Sequence, residues 1–415
     1  MVHFTRQILP NGLRVLVHED TSTPLVAVNV TYYVGSRDEQ ADKTGFAHLF
    51  EHLMFAGSKN VPDFDDPLQR AGGENNAYTT NDYTTFYEIM PAENLETALW
   101  LESDRMLALN ISKKALDVQR KVVVEEFKET CLNEPYGDAW HHLSELMYRE
   151  HPYRWPVIGL VPEHVEKAEL DDVRSFFKQW YTPNNAVLSI AGNVRAGEAF
   201  QLAEKWFAAI PPGPAPHRQL VPEPPQDIPR RREVRSSNVP VPAVFLAFRT
   251  PARLHPDFYA VDLLSDVLAQ GQSSRLYRRL LKERQLFSQI DAYITGNIDP
   301  GLMVIEGRPS MGVTPDEALA AIWQELTLLK THPIEQRELE KIQHRFESTV
   351  VFSETSVLNK AQNLAFYEIL DRAELMNEEV DIYLAVTPAD LHRVANDLFQ
   401  ERNSAILTYL PALTV

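Results

Sequence analysis

Residues 44–58 read TGFAHLFEHLMFAGS, and how this stretch folds decides both the architecture around it and its chemistry. Phe46, Leu49, Phe50, Leu53 and Met54 recur at helical spacing, which predicts a helix over 42–57 with one apolar face. Thr44 is expected to cap its start and Gly57 to end it. On such a helix His48 and His52 lie one turn apart, with Cβ atoms roughly 5–6 Å from each other. Two imidazoles at that spacing can meet one cation. Glu51, beside them but off their shared axis, is placed to act as a general base. The plainer alternative is a pair of half-buried histidines bonded to their neighbours, with Glu51 in solvent.

Catalytic zinc usually takes three protein ligands and keeps one position for water. The run QRKVVVEEFKET (119–130) sets Glu125, Glu126 and Glu129 on a second expected helix. Spacing alone does not choose among these carboxylates, since surface helices often carry such charges.

The chain has 415 residues, more than one core of ordinary size holds, so two or more domains are expected. Hydrophobic residues at 44% and charged residues at 24% place it among folded globular proteins. A net charge of −18 repels a phosphate backbone, which argues against nucleic acid as a partner. The single cysteine, Cys131, rules out an intrachain disulfide and suits a reducing compartment. The opening MVHFTRQILPNGLRVLVHED lacks a charged leader followed by an apolar block, so a cytoplasmic location is expected. Nowhere do eighteen apolar residues run together, and no membrane span is expected.

Eight prolines fall in the nineteen residues 211–229, PPGPAPHRQLVPEPPQDIP, a stiff and poorly packing stretch. It is read as a linker over 211–232 between an N-terminal domain, 1–210, and a C-terminal domain, 233–415. Before it come the strand-like LRVLVHED and LVAVNVTYYVGS, helical segments, then NAVLSIAGNV and the helix AGEAFQLAEKWFAAI. After it, VPAVFLAFRTP, FYAVDLLSDVLAQG, IDAYITGNIDPGLMVIEGRP, PDEALAAIWQELTLLKTH and SAILTYLPA repeat the order of strand, helix, strands, helix and strand. Two similar α+β domains follow, each a mixed, mostly antiparallel sheet with helices packed on it.

Several segments together resemble one family: LPNGLRV (9–15), GFAHLFEHLMFAGS (45–58), GGENNAYTTNDYTTFYE (72–88), RKVVVEEF (120–127), HPYRWPVIG (151–159) and YTPNNAVLSIAGNV (181–194). The set is similar to the inverzincin zinc peptidases, the family of pitrilysin, insulin-degrading enzyme and the mitochondrial processing peptidase, whose motif H-x-x-E-H inverts the commoner zinc signature. The resemblance implies zinc held by His48, His52 and Glu126, with Glu51 as the catalytic base. It also implies that a peptide substrate adds as a strand along an edge formed by Asn76, Ala77, Tyr78 and Thr79. Gln119 stands where many relatives carry a further glutamate.

Members that work alone carry an Arg and a Tyr seven residues apart in the second half; aligning GQSSRLYRRLLKERQLFSQI (271–290) puts Leu281 and Ser288 at those positions. Nor has the second-half helix any histidine. The resemblance thus points to the zinc-bearing subunit of a two-chain peptidase whose metal-free homologue supplies the Arg/Tyr pair. A homodimer using Arg275, Tyr277 or Arg284 is the rival. Other classes remain: a structural or binding subunit that keeps fold and metal, and a hydrolase of some non-peptide amide.

Overall fold

A computed structural model describes residues 1–215, 218 and 221–412. Strands β1 (Thr5–Ile8), β2 (Arg14–Glu19), β3 (Leu25–Tyr32), β4 (Glu74–Thr79), β5 (Thr84–Pro91) and β6 (Ala186–Gly192) form one sheet in the order β1-β2-β6-β3-β5-β4. Only β2 and β6 pair in parallel. A second sheet holds β7 (Arg230–Ser236), β8 (Ala243–Arg249), β9 (Phe287–Ile294), β10 (Leu302–Pro309) and β11 (Ser404–Pro411), in the order β7-β11-β8-β10-β9. Again a single pair, β7 with β11, is parallel.

Set β1 aside and the two sheets have one connectivity. The first strand lies parallel to the last, the second follows, then the fourth, and the third forms the edge. The two similar α+β domains expected from element order are therefore borne out as a repeat of topology. A residue repeat lies on the edge strands as well: Asn76-Ala77-Tyr78 in β4 corresponds to Asp291-Ala292-Tyr293 in β9. In both copies the side chain before the alanine accepts that alanine's N–H, at 2.8 Å.

The compact units do not follow the boundaries expected at 210 and 233. One comprises Met1–Phe127, Trp155–Leu220 and Val350–Glu379; the other comprises Lys128–Arg154, Val221–Thr349 and Val380–Val415. The cause is the second face of each sheet, which also needs an apolar cover. In the first unit one face packs on the helices Phe46–Leu53, Leu95–Ala108, Leu170–Trp180 and Ala196–Phe207. Its other face, built of small residues such as Ala27 and Ala191, takes Val357 and Ala361 of the helix Val357–Ile369. Ser189 Oγ donates to the Ala361 carbonyl across that contact at 2.5 Å.

In the second unit the helices Phe258–Ala269, Pro315–Thr331 and Pro388–Leu398 cover one face. Ala139, Leu143 and Met147 of the helix Ala139–Met147 pack with Phe245, Ala247, Val304 and Leu407 on the other. Each sheet thus borrows one helix from the opposite half of the sequence.

The proline-rich stretch also differs from a free linker at its described positions. Arg230 to Arg232 already belong to β7. In the first unit Arg218 stacks on Tyr33, 3.9 Å from the ring centroid, and its Nε donates to Asp38 at 2.8 Å. In the second, the Glu223 carboxylate accepts from the backbone amides of Arg149, Glu150 and His151 at 2.8–3.0 Å.

Candidate metal centre

The helix carrying the two histidines runs Phe46–Leu53, shorter at both ends than expected. Gly45 opens it at φ 85°, where a Cβ would stand 2.9 Å from the Ile158 carbonyl oxygen. Glycine is therefore required by both backbone conformation and space. Phe46, Leu49, Phe50, Leu53 and Met54 are all buried, as their spacing predicts.

Thr44 does not cap the helix. Its hydroxyl pairs with His164 Nδ1 and accepts from the Leu160 amide, both at 2.8 Å. The first-turn amides instead go to the buried side chain of Glu39: Gly45 N–H donates to Oε2 at 2.9 Å and Ala47 N–H to Oε1 at 2.8 Å. Burial pushes this carboxyl well above the usual carboxylate range, against the pull of those amides. Sequence reading missed Glu39 because it lies in a loop, six residues before the first amide it caps.

One turn apart, His48 and His52 bring their Nε2 atoms to 3.3 Å from each other. The helix Lys113–Phe127 brings in Glu126, whose Oε1 lies 3.5 Å from His48 Nε2 and whose Oε2 lies 3.2 Å from His52 Nε2. Among the described residues these are the one set of three or more His, Cys, Asp or Glu side chains that could hold a metal ion. Neither Glu125 nor Glu129 belongs to it.

The separations allow a test of fit. Zinc bonds of about 2.0–2.1 Å at tetrahedral angles put neighbouring donor atoms about 3.3 Å apart. The nearest approaches, 3.3 Å between the two Nε2 atoms and 3.5 and 3.2 Å from them to the two oxygens of Glu126, lie near that value, and one ligand atom from each residue falls within 4.8 Å of the others. Protonation favours the same reading. Burial holds the His48 pKa down, His52 adding to the effect and Glu126 opposing it, so the imidazole is neutral with a lone pair to offer. The bond to His52 holds the Glu126 carboxyl below its usual range, so it is an anion. Two nitrogens and a carboxylate suit zinc by donor type as well.

Glu51 is outside this trio. Its Oε2 accepts a 2.6 Å hydrogen bond from Thr79 Oγ1 at the end of β4. Strand β4 forms the edge of its sheet, paired on one side with β5 through Asn76 with Tyr87, Ala77 with Phe86, Tyr78 with Thr85 and Thr79 with Thr84. The Ala77 N–H is satisfied by the Asn76 side chain. All four expected edge residues therefore lie on one free-edged strand that reaches Glu51.

At the second-half positions, Leu281 packs against the apolar core and Ser288 Oγ donates to the Arg308 carbonyl at 3.1 Å. Two of the rival anchors are engaged: Arg275 grips Glu338 through two bonds of 3.0 and 2.8 Å, and Arg284 donates to Gln324 at 3.0 Å. No described helix is long and apolar enough to cross a membrane.

Comparison with known proteins adds the following. The family model for insulinase (peptidase family M16) matches residues 14–159, and that for the peptidase M16 inactive domain matches residues 167–346. Zinc protease PqqE of Helicobacter pylori is 30% identical over 97% of this chain and 92% of its own length. The probable mitochondrial-processing peptidase subunit beta of Schizosaccharomyces pombe is 25% identical over 96% of this chain and 89% of its own length. Among solved structures, a protease from Helicobacter pylori superposes with a TM-score of 0.93 at 29% identity, covering 99% of this chain and 100% of that one.

Proposed function

The chain belongs to peptidase family M16, and on that premise we propose that it is a zinc metallopeptidase hydrolysing peptide bonds in unfolded peptides or oligopeptides. The observation that carries the reading is the convergence of His48 Nε2, His52 Nε2 and the Glu126 carboxylate, at nearest approaches of 3.2–3.5 Å, with the Glu51 carboxylate on the same helix as the two histidines. Zinc held there supplies Lewis acidity at the scissile carbonyl and brings the pKa of water towards about 7. Glu51 takes the proton of the attacking water on its carboxylate and passes it to the leaving amine. Thr79 keeps that carboxylate oriented through its hydroxyl. Peptide binds along the edge Asn76, Ala77, Tyr78 and Thr79, where main-chain bonds give affinity with little demand on sequence. The Asn76 side chain holds the place of one such bond by accepting the Ala77 N–H.

In this reading the chain is the catalytic subunit of a heterodimer, its partner a metal-free homologue carrying an Arg/Tyr pair. The absence of any cation or phenol at Leu281 and Ser288 supports it, as does the engagement of Arg275 with Glu338. Light scattering with cleavage of quenched fluorescent peptides, with and without chelator, tests both parts. Chelator-sensitive cleavage supports the peptidase, and full activity of the chain alone removes the heterodimer. Glu51→Gln is expected to keep zinc and lose turnover. Bound zinc without cleavage of any peptide, even with a partner chain, favours a binding subunit instead.

A further inference from the structure

Glu39 has no part in the chemistry just described, yet it is the buried group on which the metal-bearing helix starts. That helix is only eight residues long, its N-cap is a glycine, and its first turn carries no acidic residue. Glu39 Oε2 accepts from the Gly45 amide and Oε1 from the Ala47 amide, so both of its oxygens serve that turn. Two accepting oxygens are what the unbonded amides of a helix N-terminus need.

Glu39 itself stands on a fixed base. The preceding turn, Ser36–Asp38, is held at three points in the same unit. Arg37 forms a buried 2.8 Å ion pair with Asp82, the Ser36 carbonyl accepts from Trp155 Nε1 at 2.7 Å, and Asp38 accepts from Arg218 Nε at 2.8 Å. His48 lies one residue beyond Ala47, whose amide Glu39 takes. With the two imidazoles and the Glu126 carboxylate at nearest approaches of 3.2–3.5 Å, shifts of only a few tenths of an ångström are tolerated before a zinc bond is lost.

We propose that Glu39 is a positioning residue for the metal centre: its side chain locks the first turn of the Phe46–Leu53 helix so that His48 meets His52 and Glu126 at one point. The inference rests on the zinc reading above. It assigns Glu39 a role in metal affinity that an ordinary helix cap, valued only for stability, lacks.

The test uses the purified full-length chain and zinc alone. Zinc affinity is measured by competition with a chromophoric chelator, amide exchange of peptides spanning 44–55 is followed in the metal-free protein, and its melting temperature is recorded. Glu39→Gln, which keeps the size but opposes an N–H donor to the amides, is expected to weaken zinc binding by about 10-fold or more and to speed exchange in 44–55. Glu39→Asp, which keeps the two carboxyl oxygens on a shorter side chain, is expected to recover part of both. Val28→Ala, a core change in the same unit, serves as the control for lost stability alone.

Zinc affinity within twofold of wild type in Glu39→Gln overturns the proposal, and so does an equal loss of affinity in Val28→Ala at matched melting temperature. Should Glu39→Gln not fold, the comparison passes to Glu39→Asp, where unchanged affinity and unchanged exchange likewise overturn it. A wild-type chain that binds no zinc sinks the zinc reading instead. The exchange arm then still reports whether Glu39 locks the helix.

Discussion

Thr79 Oγ1 donates a 2.6 Å hydrogen bond to Glu51 Oε2, joining the last residue of an edge strand to the helix that carries His48 and His52. A bond to a charged group is worth about 1.5–3 kcal/mol, or about 10- to 100-fold in rate when it acts in the transition state. Thr79→Val keeps the shape and removes the donor. It is expected to lower kcat by that factor while leaving zinc content unchanged. Steady-state kinetics with metal analysis checks this, and an unaltered kcat would leave Thr79 without an orienting role.

The Ala77 N–H is satisfied only by the neighbouring Asn76 side chain, and an added peptide strand can use it. Ala77→Pro removes this donor on an edge strand, where proline is tolerated. One neutral hydrogen bond corresponds to about 0.5–1.5 kcal/mol, so KM for peptides should rise about 2- to 10-fold with zinc retained. An unchanged KM would place the substrate elsewhere.

Much of the fold is readable in the sequence wherever apolar residues set a clear period. The runs around β2, β3, β6, β8 and β11 are mostly apolar, with β-branched or aromatic residues, and largely buried on both faces, and all were expected as strands. Strand β7, RRREVRS, was not, because it is an outer strand whose charges face solvent and carry no apolar signal. The ligand-type residues were legible for a local reason: His48, Glu51 and His52 fall on adjacent turns of one helix. Glu39 was not, since a capping side chain that arrives from a loop leaves no spacing to read. The borrowed helices, Val357–Ile369 and Ala139–Met147, are amphipathic on their own terms; which sheet each covers depends on long-range packing. The Asn-Ala-Tyr and Asp-Ala-Tyr repeat was in plain view, but three residues gain meaning only once β4 and β9 share a place in the topology.

Arg105 is wholly buried. Its Nε donates to Glu102 at 2.9 Å, its Nη2 lies 3.4 Å from Glu88, and its guanidinium sits over the rings of Phe64 and Phe86 at 4.3 and 4.5 Å. Burial and the neighbouring Glu102 already push the Glu88 carboxyl well above its usual range. Arg105→Met leaves two carboxyls facing each other in a dry core and should cost about 3–5 kcal/mol. Denaturant unfolding reads this out, and adding Glu88→Gln should restore part of the loss. A cost below 1 kcal/mol would contradict the account of this cluster.

Asp266 supplies a pH dependence. Burial, with the nearby Asp262, raises its pKa from 3.8 to about 6, Arg345 opposing. A carboxyl raised by folding binds its proton more tightly in the native state, so it lowers stability as pH climbs from about 4 to 6. The penalty is complete above that window and absent below it. Its upper bound is about 3 kcal/mol. Asp266→Asn should therefore stabilise the second unit at pH 8, have no effect at pH 3.5, and flatten the slope between. Equal effects at both pH values would contradict the assignment.

The central claim is that the side chains of His48, His52 and Glu126 share one zinc ion. Crystals of zinc-loaded protein, with anomalous data collected on both sides of the zinc absorption edge, test it most directly. The account predicts a single strong peak per chain about 2.0–2.2 Å from both Nε2 atoms and a Glu126 oxygen, lost in Glu126→Ala. A fully active, zinc-supplied protein with no peak among these three side chains would contradict it.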